Sequence, residues 1–291
     1  MLESPEAVPV ILDGGLSTQL SRRGFDVAGP LWTARALLDQ PSAIEEAHRD
    51  FIEAGADVVI TASYQVSRQG FRAAGRDADE ADQAIAVATA IARLAAGASG
   101  TVVAASVGPY GAILHDGSEY RGNYGISVDE LAAFHAERLA VITATEPDWL
   151  AVESIPDVIE VRALCEALAS VDDLPAWMTF TCIDDMHLCA GQVIEEACQI
   201  AMSSKAVRAI GVNCTDPRFV TGLIGRIRAV TTLPVIVYPN AGGQWFADEW
   251  HGSGSGVFDS IQQWLDAGAN GIGGCCGTDA DDIRTLRGLL P

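Results

Sequence analysis

The stretch Gly271-Ile-Gly-Gly-Cys-Cys-Gly-Thr278 joins a short apolar run to two adjacent cysteines that are set among glycines. Adjacent side chains on a regular strand point to opposite faces, so two neighbouring thiols serve one centre only where the backbone bends. Gly273, Gly274 and Gly277 permit that bend. Thiolates bind soft metals such as zinc well, but two thiolates do not complete a site. A third ligand must therefore come from elsewhere in the chain.

Gly211-Val-Asn-Cys214 is a candidate source of that ligand, because it also ends a short apolar run with a cysteine. The alternative interpretation is that these thiols are simply buried, since free cysteine is among the most buried residue types. The glycines around Cys275 and Cys276 leave little apolar packing to explain that pair. For Cys214 taken alone, the two interpretations stay open.

The same pattern, a short apolar strand followed by polar or glycine residues and then a helix, recurs along the whole chain. Strands are predicted at residues 8–12, 58–60, 101–107, 149–152, 177–182, 209–212, 234–237 and 271–273. Helices are predicted at residues 42–55, 77–96, 128–145, 158–169, 193–202, 218–230, 257–267 and 282–290. Eight such units in ~250 residues or more predict an α/β protein with a (β/α)8 TIM barrel fold.

A doubly wound open sheet is the alternative fold, but no Gly-x-Gly-x-x-Gly follows the first strand. Gly254-Ser-Gly256 lacks the remainder of a phosphate-binding loop. No Pro-rich or low-complexity linker divides the sequence, so residues 1–291 are expected to form one domain.

The charge balance limits the classes of partner. The 291 residues carry a formal net charge of −21, whereas nucleic acids and anionic membrane surfaces require a basic footprint. No apolar run approaches the ~18 residues of a membrane span, and Met1-Leu-Glu-Ser-Pro-Glu6 does not resemble a signal peptide. The seven cysteines are odd in number, which favours reduced thiols and a cytoplasmic location.

In a TIM barrel the active site lies at the carboxyl ends of the strands. The residues at these ends are chemically rich: carboxylates, hydroxyls, amides and thiols gather on one rim. They are Asp13, Thr61, Gln65, Gly108, Glu153, Cys182, Cys214, Asn240, Cys275 and Cys276.

Over nearly its full length the chain resembles the homocysteine S-methyltransferases. The motifs that carry the resemblance are Asp13-Gly14-Gly15, His48 with Gly55-Ala-Asp57, Thr61-x-Ser63-Tyr64-Gln65, Gly108-Pro-Tyr-Gly-Ala112, Glu153-Ser-Ile-Pro156, Gly211-Val-Asn-Cys214, Tyr238-Pro-Asn-Ala-Gly242 and Gly273-Gly-Cys-Cys-Gly277. The loop at residues 116–124 looks most like the cobalamin-independent members that use S-methylmethionine or S-adenosylmethionine as methyl donor.

The resemblance implies a zinc ion (Zn2+) held by Cys214, Cys275 and Cys276, and a homocysteine thiol that is methylated to methionine. Asp13 and Glu153 would take the homocysteine ammonium, although Asp13 could instead be a turn residue and Glu153 part of a structural salt bridge. Backbone N–H groups of Gly14 and Gly15, with Thr61 or Ser63, are candidates for the carboxylate. Gln65 is either an oxygen ligand of zinc before substrate binds or a polar residue of the rim.

Several alternatives remain at this stage. A cluster of Cys182, His187 and Cys189 lacks the tight spacing of a zinc knuckle, and Cys165 and Cys198 are expected in the core. The thiol could be selenohomocysteine, or the barrel could bind zinc or thiols without turnover. Betaine is another conceivable donor, and aromatic residues that could cage its ammonium are Tyr110, Tyr120, Tyr124, Tyr238 and Trp245. A small diffusible donor and a monomeric protein are expected.

Overall fold

A closed barrel of parallel strands forms the centre of the molecule. The computed structural model describes residues 9–25, 31–171, 173–242, 244–246, 249–251 and 256–290, and it describes the backbone alone for residues 32, 244–246 and 249–251. Along the chain the strands are β1 (Val10–Ile11), β2 (Val58–Ile60), β3 (Val102–Val107), β4 (Trp149–Ile155), β5 (Ala176–Phe180), β6 (Val207–Asn213), β7 (Val235–Tyr238), β8 (Gln244–Phe246), β9 (Glu249–His251) and β10 (Ala269–Ile272).

Eight of these strands form one sheet in the order β1-β10-β7-β6-β5-β4-β3-β2, in which every pair is parallel. A parallel bridge between Leu12 and Val58 joins the two ends of this sheet. The barrel is thereby closed, and the predicted (β/α)8 fold is confirmed. β8 and β9 pair antiparallel as a separate hairpin that follows β7, which the sequence pattern did not predict.

Helices surround the barrel. They are α1 (Leu16–Arg22), α2 (Trp32–Asp39), α3 (Pro41–Ala54), α4 (Arg68–Ala73), α5 (Ala78–Ala96), α6 (Val128–Thr143), α7 (Val158–Leu168), α8 (Ile194–Ala201), α9 (Pro217–Val230), α10 (Ile261–Ala267) and α11 (Ala280–Leu289). Short 3₁₀ helices lie at Tyr110–Ile113 and Ser118–Tyr120. No helix in the described ranges combines the length and the apolar character that crossing a membrane demands.

Capping side chains set several helix starts where the sequence placed them. Ser127 accepts a hydrogen bond from the Glu130 N–H, and the Glu130 carboxylate accepts one from the Ser127 N–H, which begins α6. The short helices α1, α2 and α4 were not predicted. The residue before α1 is Gly15, which has no side chain with which to cap it, so the usual start signal is missing. α10 begins at Ile261 rather than at residue 257.

The interior of the barrel is filled by alternating large and small side chains. The fully buried Trp177 lies in one cluster with Ala104, Ala151 and Ala209, which leave room for its indole ring. β6 and β7 approach so closely that a Cβ on Gly211 would lie 1.7 Å from the Ile236 carbonyl oxygen. The interior of the barrel is therefore a packed core, and the cavity that concerns function lies at its mouth.

Candidate active site

Three cysteines meet at the carboxyl end of the barrel. The sulfurs of Cys214, Cys275 and Cys276 all lie within 4.8 Å of one another, and the Cys214 and Cys276 sulfurs are 3.6 Å apart. Three sulfurs bound to one zinc ion at ~2.3 Å would stand about 3.8 Å apart, so the donor set and its spacing fit zinc. Within the described residues, no other group of histidines, cysteines and carboxylates is close enough to hold a metal ion.

The segment that follows β7 brings these cysteines together, although they end strands that are not neighbours. Cys214 N donates to the Tyr238 carbonyl at 3.1 Å, and Cys275 N donates to the Pro239 carbonyl at 2.9 Å. Ala241 N in turn donates to the Cys276 carbonyl at 2.9 Å. The end of β7 and the residues after it therefore fix both cysteine loops, and Cys214 meets the cysteine pair at the mouth of the barrel.

Thr278 fixes the turn that carries the cysteine pair, and sequence reasoning did not single it out. Its fully buried hydroxyl donates to the Cys275 carbonyl at 2.7 Å. The Gly15 N–H is shared between the Thr278 carbonyl at 3.0 Å and the Thr278 hydroxyl at 3.2 Å. A Cβ on Gly274 would lie 2.1 Å from that hydroxyl, so the contact requires glycine. Thr278 therefore joins the cysteine turn to the first loop of the barrel.

Crowding and burial make the Cys214 and Cys275 thiols hard to ionise in the absence of a cation, because both raise the pKa of each thiol. Hydrogen bonding from Cys214 and Cys276, followed by burial, raises the pKa of Cys275 well above the ordinary range of a thiol. A bound divalent cation would reverse this preference, because a coordinating thiol is deprotonated by the ion's charge. The cluster is thus arranged for a metal and is poorly suited to a free nucleophilic cysteine.

Two buried carboxylates, Asp13 and Glu153, face the same cavity. Asp13 Oδ2 accepts a hydrogen bond from the Ile60 N–H at 2.8 Å, and Glu153 Oε1 accepts one from the Ser106 hydroxyl. Burial raises the pKa of Asp13 well above its usual value, and the charge of Glu153 adds to this effect. Burial also raises the pKa of Glu153 to about 7. Together they favour a cationic group such as an ammonium.

Thr61 and Ser63 bond mainly to the protein itself. Their hydroxyl oxygens are 2.8 Å apart, Ser63 donates to the Ser106 carbonyl at 2.8 Å, and Thr61 Oγ1 accepts the Ser106 N–H at 3.1 Å. Both hydroxyl protons are thereby engaged, and of the two residues only Thr61 lines the cavity. Their role as carboxylate ligands stays a prediction. The same holds for Gly15, whose N–H is bonded to Thr278.

Gln65 is the clearest unpartnered group at the cavity. Its side chain is 2% exposed, and neither amide atom has a hydrogen-bond partner among the described residues. A buried amide without partners costs about 1–3 kcal/mol, so the site is incomplete without a ligand or water. A role of Gln65 in substrate or zinc binding stays a prediction.

The polar loop before α6 also enters the site. The Tyr120 hydroxyl lies 3.3 Å from the Cys214 sulfur, and Tyr120 lines the cavity. The neighbouring Glu119 is buried, and burial raises its pKa to about 7. Hydrogen bonds to α7 fix the loop in place. Glu160 on α7 accepts one from the Tyr110 N–H at 2.6 Å and one from the Tyr124 hydroxyl at 3.0 Å. These contacts join distant segments and have no sequence signal.

Of the five aromatic residues considered for a betaine cage, the four whose side chains are described do not gather around one point. Tyr110 and Tyr124 pack against each other, with ring centroids 5.5 Å apart. Tyr238 is buried under the site, where its hydroxyl accepts the Trp177 N–H at 3.1 Å. The side chain of Trp245 lies outside the described residues. Tyr120 and Tyr238 are the members of this set that line the cavity.

The remaining cysteines and His187 take structural positions. Cys198 is fully buried in the core, and Cys165 packs against that core, as predicted. His187 Nδ1 lies 2.9 Å from an Asp184 carboxylate oxygen and is not close enough to Cys182 and Cys189 to form a metal group with them. The competing metal cluster is therefore not formed.

A sequence model described as homocysteine S-methyltransferase matches residues 10–290. The chain belongs to the homocysteine S-methyltransferase family. Homocysteine S-methyltransferase 2 of Arabidopsis thaliana is 40% identical to it, over 96% of this chain and 92% of that protein. The selenocysteine Se-methyltransferase of Brassica oleracea var. italica is 39% identical, over 96% of this chain and 89% of that protein.

Solved structures agree with this assignment. The metallated form of the homocysteine methyltransferase MmuM from Escherichia coli superposes with a TM-score of 0.89 at 37% identity, over 98% of this chain and 97% of that chain. The family and fold expected from the sequence motifs are thus confirmed. As a family member, the chain presents its cysteine cluster and its two carboxylates at the mouth where barrel enzymes bind substrates.

Proposed function

We propose that this protein is a zinc-dependent homocysteine S-methyltransferase that forms methionine from homocysteine and a sulfonium methyl donor. One observation carries the proposal: a compact three-thiol cluster opens into the same cavity as two buried carboxylates. The first group fits a thiol-activating metal, and the second fits the ammonium of an amino acid. A thiol amino acid is the substrate class that requires both.

The metal would be held by Cys214, Cys275 and Cys276, which leave a fourth position open. Zinc bound there supplies Lewis acidity that keeps a substrate thiol deprotonated at neutral pH. The Tyr120 hydroxyl, 3.3 Å from the Cys214 sulfur, is placed to donate a hydrogen bond to that ligand. Gln65, which faces the same cavity, could provide an oxygen to the open position before substrate enters.

The chain's residues place the amino acid. Asp13 and Glu153 bind the ammonium, and the Gly14 N–H, which has no hydrogen bond to another described residue, is available to the carboxylate. The Gln65 amide offers a further donor. In the reaction the homocysteine sulfur forms a bond to the methyl carbon, and the bond from that carbon to the donor sulfur breaks. The thiol proton is released, and the donor leaves as a neutral thioether.

The donor is proposed to be a sulfonium because the site is rich in negative charge. A zinc ion bound by the three cysteine thiolates and the substrate thiolate would keep a net negative charge, so a cationic donor is attracted and a neutral leaving group departs readily. The resemblance of residues 116–124 to the sulfonium-using members supports the same choice. We expect S-methylmethionine to be the best donor, S-adenosylmethionine a weaker one and betaine inactive, all without added cobalamin.

A seleno amino acid is the second candidate acceptor. Two relatives are named as selenocysteine methyltransferases, at 39% and 38% identity, close to the 40% of the Arabidopsis homocysteine enzyme. The same cysteine cluster could activate a selenol, which ionises more readily than a thiol. Homocysteine, selenohomocysteine and selenocysteine therefore belong in one acceptor panel.

The setting is proposed to be the cytoplasm, with the protein acting as a monomer. The seven cysteines are all free in the structure, as in a reducing compartment. Among the described residues, the most exposed large apolar side chains are Leu94, Leu289 and Ile183, which lie on three separate parts of the fold. They do not form one apolar helix face that would require a partner.

A donor panel tests the proposal. Zinc-loaded protein is incubated with homocysteine and one donor at a time, and methionine is quantified. Turnover with betaine but not with S-methylmethionine would contradict the donor assignment. A protein that binds zinc and homocysteine but makes no methionine with any donor would be a thiol-binding barrel without catalytic activity.

A further inference from the structure

Two residues at the mouth of the barrel adopt a left-handed backbone without being glycine. Ser154, directly after the proposed ammonium ligand Glu153, has φ 62°, and the proposed metal ligand Cys214 has φ 47°. Such conformations are costly for residues with a Cβ and persist where the surrounding structure imposes them. The two strained positions are the points at which the two halves of the proposed site leave their strands.

A β-bulge accompanies the strain at Ser154. Val152 pairs with Met178 on β5, and Ile155 pairs with Phe180, so β4 has one more residue than its partner over this interval. The extra residue lies at Glu153–Ser154. A bulge re-aims the side chain that it carries, and here the Glu153 carboxylate turns toward the cavity.

The Asn213 side chain holds this bulge. Its Oδ1 accepts the Ser154 N–H at 2.7 Å, and its Nδ2 donates to the Ser154 hydroxyl at 2.7 Å. Oδ1 also accepts the Thr179 hydroxyl at 2.8 Å from the intervening strand β5. Asn213 is 1% exposed, so these bonds face little competition from water. Two bonds to one residue fix both the distance and the orientation of Ser154.

Asn213 also directly precedes Cys214 in the chain. The Asn213 backbone is therefore covalently linked to a proposed metal ligand, and its side chain is hydrogen-bonded to Ser154, the neighbour of Glu153. The second carboxylate, Asp13, is held separately by the Ile60 N–H at 2.8 Å. Loosening Asn213 would shift Glu153 relative to Cys214 without removing any proposed ligand.

We infer that Asn213 is a positioning residue that sets the distance between the ammonium-binding and metal-binding ends of the site. It thereby selects thiol amino acids by the number of methylenes between Cα and sulfur. This inference rests on the proposed function, which assigns those two ends. Homocysteine has two methylenes between its Cα and its sulfur, whereas cysteine has one. A site pinned at both ends accepts one of these lengths.

Overall sequence identity does not show which length of substrate side chain a member of this family accepts. Relatives named for homocysteine and for selenocysteine are 40% and 39% identical to this chain. Discrimination must then come from local geometry. One methylene in a shaped pocket is typically worth about 10–200-fold between two substrates. A rigid spacer such as the Asn213–Ser154 pair is suited to produce a factor of this size.

The test compares homocysteine with cysteine, which differ by one methylene. The zinc-loaded wild type, Asn213→Ala and Ser154→Gly are titrated with each amino acid by calorimetry, and zinc retention is followed by chelator competition. Glycine adopts φ 62° without strain, so Ser154→Gly loses the hydroxyl bond while its backbone remains compatible with the fold. Asn270→Ala is the matched control.

Asn270 is a suitable control because its Oδ1 also accepts a backbone N–H, that of Val235 at 2.9 Å. It lies near the start of β10, at the opposite end of the barrel from the site. The wild type and Asn270→Ala should prefer homocysteine by about 10–200-fold in Kd. Asn213→Ala should lower that preference at least tenfold, and Ser154→Gly should lower it in the same direction. All four proteins should keep their zinc.

The outcomes separate this inference from the proposed function. An unchanged homocysteine-to-cysteine ratio in folded Ser154→Gly and Asn213→Ala would overturn the inference, as would loss of zinc from both variants with the ratio preserved. If instead the wild type prefers homocysteine, the variants lose that preference and no donor yields methionine, the positioning role stands and the methyltransferase proposal fails.

Discussion

Replacing Glu153 by glutamine should weaken homocysteine binding and at the same time stabilise the substrate-free protein. Glutamine keeps an oxygen that can accept the Ser106 hydroxyl, so the local geometry is preserved while the negative charge is removed. A hydrogen bond to a charged group contributes about 1.5–3 kcal/mol. At about 1.4 kcal/mol per tenfold change, the homocysteine Kd should rise roughly 10–150-fold.

The stability effect has the opposite sign because the charge is buried. Burial raises the pKa of Glu153 from 4.5 to about 7, so the folded protein holds this proton more tightly than the unfolded chain. The tighter binding of this proton contributes fully to the free energy of unfolding below pH 4.5, and the contribution is lost as the pH rises through about 7. At pH 8 an ionised Glu153 should cost about 3 kcal/mol, which glutamine avoids.

Two assays check this pair of effects, with urea unfolding on metal-free protein and calorimetry on zinc-loaded protein. Urea unfolding between pH 5 and pH 8.5 should show the wild type losing stability relative to Glu153→Gln as the pH rises, and calorimetry should show weaker homocysteine binding by the variant. Unchanged homocysteine binding would remove Glu153 from the site. A variant less stable than the wild type at pH 8 would refute the argument that ionisation of the buried Glu153 destabilises the substrate-free protein.

Two further substitutions, with Cys165→Ser as a control, probe the metal cluster and the turn that supports it. Cys275→Ser should abolish zinc retention and methionine formation together, whereas Cys165→Ser should leave the metal content unchanged. The metal content is measured by atomic absorption, and a full complement of zinc in Cys275→Ser would contradict the ligand assignment. Thr278→Val should lower the free energy of unfolding in urea by about 0.5–1.5 kcal/mol, because the Cys275 carbonyl loses the 2.7 Å bond from the hydroxyl and keeps the 3.0 Å bond from the Thr278 N–H. The variant should also lose zinc to a chelator faster. Zinc release at the wild-type rate would show that the turn does not depend on Thr278.

The strand ends could be located from the sequence because each apolar run stops at a glycine or a polar residue. Thus Asp13 and Glu153 were correctly expected on the same rim, and the three cysteines were expected to meet there. Asp13 lies just beyond β1, whereas Glu153 lies inside β4, which continues to Ile155 through the bulge. A one-residue bulge has no period of its own, so hydrophobic alternation does not reveal it.

Contacts between distant segments were beyond the reach of the sequence. The Gly15 N–H was a candidate substrate ligand, yet Thr278, 263 residues away, accepts it. The unpartnered amide of Gln65 and the hold of Asn213 on Ser154 likewise depend on the closed barrel. Sequence patterns give the order of the units and the chemistry of their ends, whereas the partners of each polar group follow from three-dimensional packing.

Methionine production from homocysteine and S-methylmethionine is the most direct measurement. Purified zinc-loaded protein, with no cobalamin added, should form two methionines for each S-methylmethionine consumed, one from each reactant. Removal of zinc by a chelator should stop the reaction, and its return should restore it. Homocysteine that stays unmethylated in the presence of S-methylmethionine and of S-adenosylmethionine, or a strict requirement for methylcobalamin, would contradict direct transfer at the Cys214, Cys275 and Cys276 cluster.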